Sequence, residues 1–337
     1  MRSQTTRSRT DERPRRSTAT TTGRLRGRVP AALLPALLLP AAATAQGQGH
    51  LEHPAPEFER LIERGRFAVE SSQGVRYEDD PTLQAVLRFE GGERATVKMA
   101  SAPRRGGAFN NRPRYEAAAY QVQKLFLDPE GYVVPPTTCR CLPPDQFEEL
   151  FERRQPTFRG SPCGLVLLQA WLRGVIDEGV FDRDRFASDT AYARHLANAN
   201  VLTYLIDHKD ANKGNVVVAQ RFLGSRVFAV DNGVSFESRK SNRGTAWRRL
   251  RVDRIPRETV ERLRALERSD LEERLAVFAQ FEGIERVEPT APLDPDEGLR
   301  RDGRVLQIGL EEDEIEGVWE RIRKLLERVD EGDLETF

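Results

Sequence analysis

Two short polar segments, separated by a pair of apolar strands, constrain what this 337-residue chain can fold into more than any other feature. The first segment, Asp210-Ala-Asn-Lys-Gly-Asn215, runs directly into Val216–Val218, and the second, Asp231-Asn-Gly233, ends the apolar stretch Val227–Val230. A hairpin of the two apolar stretches places the residues before its first strand and after its second strand at the same end. We therefore expect Asp210, Asn215 and Asp231 to lie close together at one end of a small sheet.

Two carboxylates and an amide oxygen in one place are the groups that phosphoryl transfer from a metal–nucleotide requires. One carboxylate orients the attacking hydroxyl group, and the other two groups hold the metal ion on the phosphates. Each segment by itself is also explained as an ordinary polar turn. The register stays open, because Asp207 and Asn212 have the same spacing as Asp210 and Asn215. We prefer the second pair because Asn215 immediately precedes the apolar strand.

A lysine and a glutamate upstream supply a further part of the same chemistry. Lys98 lies in the predicted strand Arg94–Met99, and Glu116 lies near the start of the next predicted helix. A kinase-type enzyme needs a lysine at the nucleotide phosphates and a glutamate that holds this lysine in place. The alternative is a solvated strand lysine and a glutamate favoured by the helix dipole. Together with the downstream segments, the pair favours the kinase hypothesis.

The N-terminal half reads as a small sheet with one main helix. A short helix over Pro56–Arg64 precedes a hairpin whose turn is Gly91-Gly92. The other predicted elements are the amphipathic helix Arg114–Leu127 and two strands within Tyr132–Pro136 and Gly164–Trp171.

The C-terminal half reads as mainly helical around the hairpin. Helical patterns cover Asp184–Leu205, Pro256–Phe281 and Asp313–Val329, and Thr290–Arg304 is predicted to be a loop. The chain is therefore predicted to be an α+β protein with a bilobal, kinase-like fold. A linker over 46–56 leads into a small β-rich N-lobe over 57–172 and a mainly helical C-lobe over 173–337, with the cleft near 171–179.

The first 45 residues read as a secretory signal. Residues 1–28 hold nine arginines and a net charge of +7, and an apolar stretch over 29–45 ends in an Ala-x-Ala pattern. We predict cleavage after Ala45 and export to the periplasm or the medium. The apolar stretch contains three prolines and is short for a membrane span, so no transmembrane span is expected in the mature chain. An uncleaved anchor, or a disordered leader on a cytoplasmic protein, are the alternatives.

Charge and cysteine content exclude two classes of function. The chain after residue 28 has a net charge of −7, which argues against nucleic-acid binding because phosphates require a basic face. Three cysteines and four histidines without ligand spacing argue against a structural zinc site. In an oxidising compartment, either Cys139 or Cys141 could form a disulfide with Cys163 and leave one thiol.

The segments over 210–218 and 230–236 resemble the phosphatidylinositol 3-/4-kinase-like superfamily. The resemblance is closest to type II phosphatidylinositol 4-kinases and to the secretory-pathway kinases that phosphorylate secreted proteins or glycans, which carry Asp-Asn-Gly or a similar metal-binding triplet. Glu116-Ala-Ala-Ala-Tyr-Gln-Val and Val133-Val-Pro-Pro-Thr are similar to the helix and strand that follow the nucleotide lysine there. The resemblance covers roughly residues 60–335, although its specific motifs occupy only four short blocks.

The resemblance implies ATP and Mg²⁺ or Mn²⁺ as cofactors and a hydroxyl on a protein, glycan or lipid as acceptor. It assigns the nucleotide phosphates to Lys98, the anchoring of this lysine to Glu116, the catalytic role to Asp210, and the metal to Asn215 and Asp231. Gln169–Leu172, with Gln169 and Trp171, would form the hinge beside the adenine, and Ser71–Gly74, with Ser72 and Gly74, is the nearest match to a glycine-rich loop. Two positions depart from the pattern, because Ala211 replaces an arginine or histidine and Lys213 stands where asparagine is frequent.

The sequence thus predicts an ATP-dependent kinase. The alternative is an exported pseudokinase that binds nucleotide as a scaffold, since ATP is scarce outside the cytoplasm and the catalytic loop is imperfect.

Overall fold

A five-stranded antiparallel sheet forms the first half of the molecule. The computed structural model describes residues 49–75, 82–105, 111–152, 154–239 and 246–337, all within one structural unit. The strand order is β1-β2-β3-β5-β4. The strands are β1 (Phe67–Gly74), β2 (Thr82–Phe89), β3 (Arg94–Ser101), β4 (Thr137–Leu142) and β5 (Gly164–Ala170). The predicted hairpin at Gly91-Gly92 is confirmed as β2–β3.

Three helices accompany this sheet. They are α1 (Ala55–Arg64), α2 (Pro113–Gln123) and α3 (Pro144–Leu150). In α1 the buried residues Phe58 and Ile62, four positions apart, lie on one face, and the helix packs against β4. Pro113 stands in the first turn of α2, where its missing N–H costs no hydrogen bond, and most of α2 is buried. Both α1 and α2 were predicted.

The prediction of a strand within Tyr132–Pro136 is wrong. This segment lies next to α2, and the Gln123 side chain binds its backbone: Oε1 accepts from the N–H groups of Val133 and Val134 at 2.8 Å, and Nε2 donates to the Val134 carbonyl at 3.1 Å. Two consecutive prolines, which have no N–H, end the segment. The strand β4 begins only after them.

The second half contains the predicted hairpin and five helices. The strands β6 (Val175–Ile176), β7 (Val216–Ala219) and β8 (Val227–Ala229) form a sheet in this order. The helices are α4 (Arg183–Ser188), α5 (Thr190–Leu205), α6 (Arg257–Ala265), α7 (Arg268–Leu275) and α8 (Glu312–Asp330). The single helix predicted over Asp184–Leu205 is divided at Asp189, which has an extended backbone and caps α5 by accepting from the Tyr192 N–H at 3.0 Å.

A further sheet, which has four strands, was not predicted. It has the order β11-β10-β13-β12, with β10 (Ala279–Glu282), β11 (Glu285–Val287), β12 (Leu299–Asp302) and β13 (Val305–Ile308). The helical prediction to Phe281 is therefore wrong after Leu275, and the loop predicted over Thr290–Arg304 includes β12. Gly283 and Gly303, both with positive φ, form the two tight turns, and β10 and β11 contact β4. A short parallel pair, β9 (Arg254–Ile255) with β14 (Glu335–Thr336), completes the fold.

A disulfide joins β4 to the residues before β5. It connects Cys141 to Cys163 with a Cα–Cα distance of 5.4 Å. In the register of β4 with β5, Cys141 lies opposite Leu165, and Leu165 is two residues after Cys163. Cys139 lies opposite Leu167, one strand pleat further from Cys163, and is too far from it to form the disulfide. The expected disulfide is thus present, and Cys139 remains a buried thiol whose pKa is raised by burial to about 12.

None of the helices in the described ranges is long and apolar enough to cross a membrane. The predicted signal peptide over 1–45 and residues 46–48 lie outside the described residues. The mixed α+β class predicted from the sequence is confirmed.

Candidate active site

Lys98 lies where three separate elements meet. Its Nζ is 2.8 and 2.9 Å from the two carboxylate oxygens of Glu116, in the first turn of α2. The same Nζ is 2.6 Å from Oδ1 of Asp231, which follows the hairpin strand β8. The structure thus brings Lys98, Glu116 and Asp231 together, although 133 residues separate the lysine from Asp231.

The charge of this lysine is stabilised by its two partners. Burial alone would lower the pKa of Lys98, but the carboxylates of Asp231 and Glu116 outweigh it and raise the pKa above its ordinary value. Lys98 is therefore a permanent cation at neutral pH. A cation held by two carboxylates in a partly buried site can receive a further anion only if one of those contacts is exchanged.

Asp210 and Asn215 form the second part of the site. The Asn215 side-chain NH₂ donates to the backbone carbonyl of Asp210 at 2.8 Å and to its Oδ2 at 3.2 Å. Asn212 donates to the same carbonyl at 2.6 Å and to Oδ1 at 3.1 Å. Both asparagines therefore orient the buried Asp210 carboxylate. The contact of Asn212 with Asp210 was not predicted, because the spacing in the sequence singled out Asn212 only as a partner of Asp207.

The loop and the hairpin are fixed to each other by the backbone. The Val230 N–H donates to the Asn215 carbonyl at 2.8 Å, so Asp231 follows directly from a residue bound to Asn215. Asp231 has a positive φ of 53°, which is uncommon for a residue other than glycine or asparagine. The structure thus brings Asn215 to Asp210 by side-chain contact and places Asp231 one residue after the backbone partner of Asn215, with its own carboxylate against Lys98.

Asp207, the alternative to Asp210, makes different contacts. Its carboxylate lies 3.3 Å from Lys209 Nζ and 3.5 Å from Arg248 Nε. Asn212, which this alternative would pair with Asp207, binds Asp210 instead. The geometry therefore favours the register with Asp210 and Asn215.

His208 lies beneath the loop as a neutral side chain. It is fully buried, and its Nδ1 lies 3.4 Å from the backbone N–H of Asp210, for which it is an acceptor. Burial lowers its pKa to about 4, so the ring is uncharged at neutral pH. A neutral imidazole that accepts a backbone hydrogen bond supports the loop.

A polar row crosses the sheet on the face of Lys98. In the antiparallel register Gln73, Gln84, Lys98, Gln169 and Thr137 lie opposite one another in turn and therefore share a face. Gln73 donates to Gln84 at 2.7 Å, and the buried Gln169 donates to Thr137 at 3.0 Å.

Ser72 and Gly74, the two residues named for the proposed glycine-rich loop, are not on this face. Ser72 is aligned with Ala85 and Val97, which point to the opposite side from Lys98, and Gly74 is aligned with Leu83 and Met99. The structure therefore does not bring Ser72 or Gly74 to Lys98, and the segment 76–81 between β1 and β2 lies outside the described residues.

An open groove lies beside Asn215. It has a volume of about 480 Å³ and is lined by Val175, Ile176, Asp177, Glu178, Gly214 and Val217. The proposed hinge residue Trp171 precedes Val175, the first residue that lines the groove, by four positions. The N–H of Trp171 donates to the Thr96 carbonyl at 3.0 Å. The groove thus begins where the chain leaves the five-stranded sheet.

Residues 50–53, which lie in the predicted linker, contact both the strand β3 and the segment that leads from the five-stranded sheet to the groove. The backbone of Arg173 is bound twice by His50: its N–H donates to the His50 carbonyl at 3.0 Å, and its carbonyl is 3.0 Å from His50 Nδ1. Glu52 accepts from the Thr96 N–H at 2.6 Å and its hydroxyl at 3.0 Å, two residues before Lys98. No periodicity in the sequence marks so short a segment.

The donor set for a divalent cation is small. Across the described ranges, no cluster of three or more histidine, cysteine, aspartate or glutamate side chains could hold a metal ion. Asp231 and the Asn215 amide are the oxygen donors at the end of the hairpin. Such a set suits Mg²⁺ or Mn²⁺ that completes its coordination with phosphate oxygens and water.

Comparison with known proteins identifies the class of fold. No model of a known protein family and no curated protein sequence matches the chain. The structure resembles Fam20 from hydra, determined with a sugar, with a TM-score of 0.50, 14% sequence identity, and coverage of 82% of this chain and 88% of that one. At this identity the likeness shows the fold, which is kinase-like, and not the activity.

Two structures of the Golgi casein kinase also match. One covers 81% of this chain and 75% of that one, with a TM-score of 0.44 and 13% identity. The other, with Mn and ADP bound, covers 84% and 78%, with a TM-score of 0.48 and 12% identity.

Proposed function

We propose that this protein is an ATP-dependent kinase that transfers a phosphoryl group to a hydroxyl of a protein or glycan. The observation that supports this most strongly is the contact of Lys98 with both Glu116 and Asp231, because three elements distant in sequence converge on one ammonium group. Phosphoryl transfer depends mainly on positioning and on neutralising charge, and this site offers both.

In this proposal Asp210 accepts the proton of the attacking hydroxyl. Its carboxylate is oriented by Asn212 and Asn215, and an ionised carboxylate has enough lone pairs to accept one more hydrogen bond. The residue lies within a loop that His208 supports from below. Asp210 therefore serves as a fixed acceptor for the hydroxyl proton.

Lys98 binds the nucleotide phosphates, and Glu116 keeps it in place. Asp231 and Oδ1 of Asn215, whose NH₂ group is turned to Asp210, would hold Mg²⁺ or Mn²⁺. When bound, the cation offsets the charge of the phosphate oxygens. The apolar lining of the groove, Val175, Ile176 and Val217, offers a surface for a nucleotide base.

The acceptor is proposed by class. The hydra protein was determined with a sugar, which supports including glycan hydroxyls in an acceptor screen. A lipid hydroxyl stays in the same screen only because the segments 210–218 and 230–236 resemble those of phosphatidylinositol kinases, a likeness that the comparisons with solved structures do not show.

An exported pseudokinase is the second candidate. The departures of the catalytic loop favour it, because Ala211 replaces an arginine or histidine and Lys213 stands where asparagine is frequent. In that case the protein would bind nucleotide without transferring phosphate.

One experiment separates the two candidates. The purified protein is incubated with labelled ATP and Mn²⁺, and ADP formation, phosphate on the protein and the melting temperature are measured. A kinase gives turnover, and a scaffold gives nucleotide-dependent stabilisation without turnover. A protein that shows neither effect would contradict both candidates.

We further propose that the protein is exported and loses residues 1–45. The Cys141–Cys163 disulfide supports this, since disulfides persist in oxidising compartments. Intact-mass measurement after alkylation of the denatured, unreduced protein should show an N-terminus at Gln46 and one alkylated thiol, that of Cys139. A chain that begins at Met1 with three alkylated thiols would contradict export.

A further inference from the structure

We infer that Arg114 and Glu314 are positioning residues that fix α2, and through it Glu116, in contact with Lys98 before any nucleotide binds. This inference rests on the proposed function, because it concerns how the phosphate-binding lysine is held. It adds two residues that lie outside the site itself, and 200 positions separate them in sequence.

The two side chains form a buried ion pair between α2 and the first turn of α8. Arg114 Nη1 is 2.6 Å from Glu314 Oε2, and Nη2 is 2.8 Å from Oε1, so the contact is bidentate. Both side chains are almost completely buried. Arg114 also donates to the Gly309 carbonyl at 2.9 Å and to Glu311.

Glu314 is satisfied on all sides. Besides Arg114, it accepts from the Tyr115 hydroxyl and from the Glu311 N–H at 2.8 Å, which closes the capping box of α8. A buried ion pair with this many hydrogen bonds has one preferred geometry, and it loses much of its favourable energy if either helix shifts. The pair therefore specifies where α2 lies.

Two further contacts tie the start of α2 to the segment of Asp231. The Arg112 N–H donates to the Gly233 carbonyl at 2.9 Å, and the rings of Tyr115 and Phe236 lie 5.0 Å apart. Glu116, next to Tyr115 and two residues from Arg114, is therefore held on the same turn that Glu314 fixes. The helix cannot turn Glu116 away from Lys98 without breaking these contacts.

The Arg114 guanidinium packs directly against the backbone of Gly298, where a side chain would leave no room for it. A Cβ added to Gly298 would lie 2.2 Å from the Arg114 guanidinium carbon. Gly298→Ala therefore displaces the guanidinium without removing any charge, which complements Glu314→Gln, where the charge is lost and the shape is kept.

Reactivity of Lys98 toward an amine-acylating reagent tests the inference without requiring kinase activity. In the wild type the ammonium group is shielded, because the carboxylates of Glu116 and Asp231 contact it and its side chain is only 14% exposed. If α2 shifts and Glu116 withdraws, the ammonium group loses its contacts with both Glu116 oxygens and becomes accessible to the reagent, so we expect its acylation rate to rise several-fold. Peptide mapping by mass spectrometry at pH 9 measures this rate on the folded, nucleotide-free protein.

The control is a variant that loses a buried hydrogen bond elsewhere. Thr259→Val removes the 2.8 Å bond to Asn198 between α6 and α5, and within the described ranges neither of these two side chains is hydrogen-bonded to α2. We expect faster acylation of Lys98 in Glu314→Gln and Gly298→Ala, and the wild-type rate in Thr259→Val. Unchanged acylation in both test variants, or an equal rise in Thr259→Val, would overturn the inference.

The outcome is separable from that of the proposed function. If the wild type neither binds nor turns over ATP, the kinase proposal fails, yet Lys98 acylation still reports whether Arg114 and Glu314 hold α2. If ATP is turned over and acylation is insensitive to the pair, only the positioning role is lost.

Discussion

Replacing Asp210 by asparagine is expected to lower kcat about a hundred- to ten-thousand-fold, because the variant loses the group that accepts the hydroxyl proton. The substitution keeps the size and one acceptor oxygen of the side chain, so the contacts from Asn212 and Asn215 can partly persist. We therefore expect the KM for ATP to change little, since the loss concerns the transition state. Steady-state kinetics with ATP and Mn²⁺ measure both values.

Asp207→Asn is the matched control for this prediction. It removes the same charge from the same loop, but the carboxylate of Asp207 pairs with Lys209 and Arg248 rather than with the asparagines. Partly exposed ion pairs contribute about 1 kcal/mol or less, so this variant should keep close to the wild-type rate. Loss of activity in Asp207→Asn with an active Asp210→Asn would show that the Asp207/Asn212 register is the catalytic one.

The sequence predicted those parts of the site that depend on local patterns, namely strands, turns and helix starts formed by neighbouring residues. The hairpin followed from two valine-rich stretches with a turn between them, and it places Asp231 one residue after Val230, whose N–H binds Asn215. Glu116 could be paired with Lys98 because both occupy recognisable positions, one on a strand and the other in the first turn of a helix.

The parts that the sequence did not predict depend on long-range contacts or on ambiguous patterns. Strands β10 to β13 carry charged residues such as Glu282, Glu285 and Arg301 at spacings that also suit a solvated helix. The Arg114–Glu314 pair joins residues whose local surroundings give no reason to bury either. Residues 50–53 have too few positions for any periodicity.

Two of these features, residues 50–53 and the Arg114–Glu314 pair, support the site without entering it. Residues 50–53 bind the segment that connects the five-stranded sheet to the groove, and the Arg114–Glu314 pair fixes the position of α2. A site of few ligands depends on such support, because positioning is most of its contribution to phosphoryl transfer.

Lys98→Met is expected to reduce the free energy of unfolding by about 3 kcal/mol and to abolish nucleotide binding. The side chains of Lys98 and Glu116 are 14% and 7% exposed, so the variant leaves a poorly solvated carboxylate without its cation, beside a second one at Asp231. The pKa of Lys98 is raised in the folded protein, so its stabilisation is fully present below the ordinary lysine pKa and is lost only as the pH rises through the raised value. Urea unfolding and calorimetric titration with ATP measure the two effects.

A second variant and the pH dependence identify the cause of the destabilisation. Lys98→Met combined with Glu116→Leu removes the isolated charge, so it should be more stable than Lys98→Met alone and should still fail to bind nucleotide. The stability difference between wild type and Lys98→Met should stay constant from about pH 7 to 9, because the raised pKa of Lys98 keeps the ammonium group charged across this range. Equal stabilities of the single and double variants would show that lost packing of the lysine stem, and not an unpaired charge, explains the loss. A difference that already falls between about pH 7 and 9 would show that the ammonium group is not held charged in the folded protein.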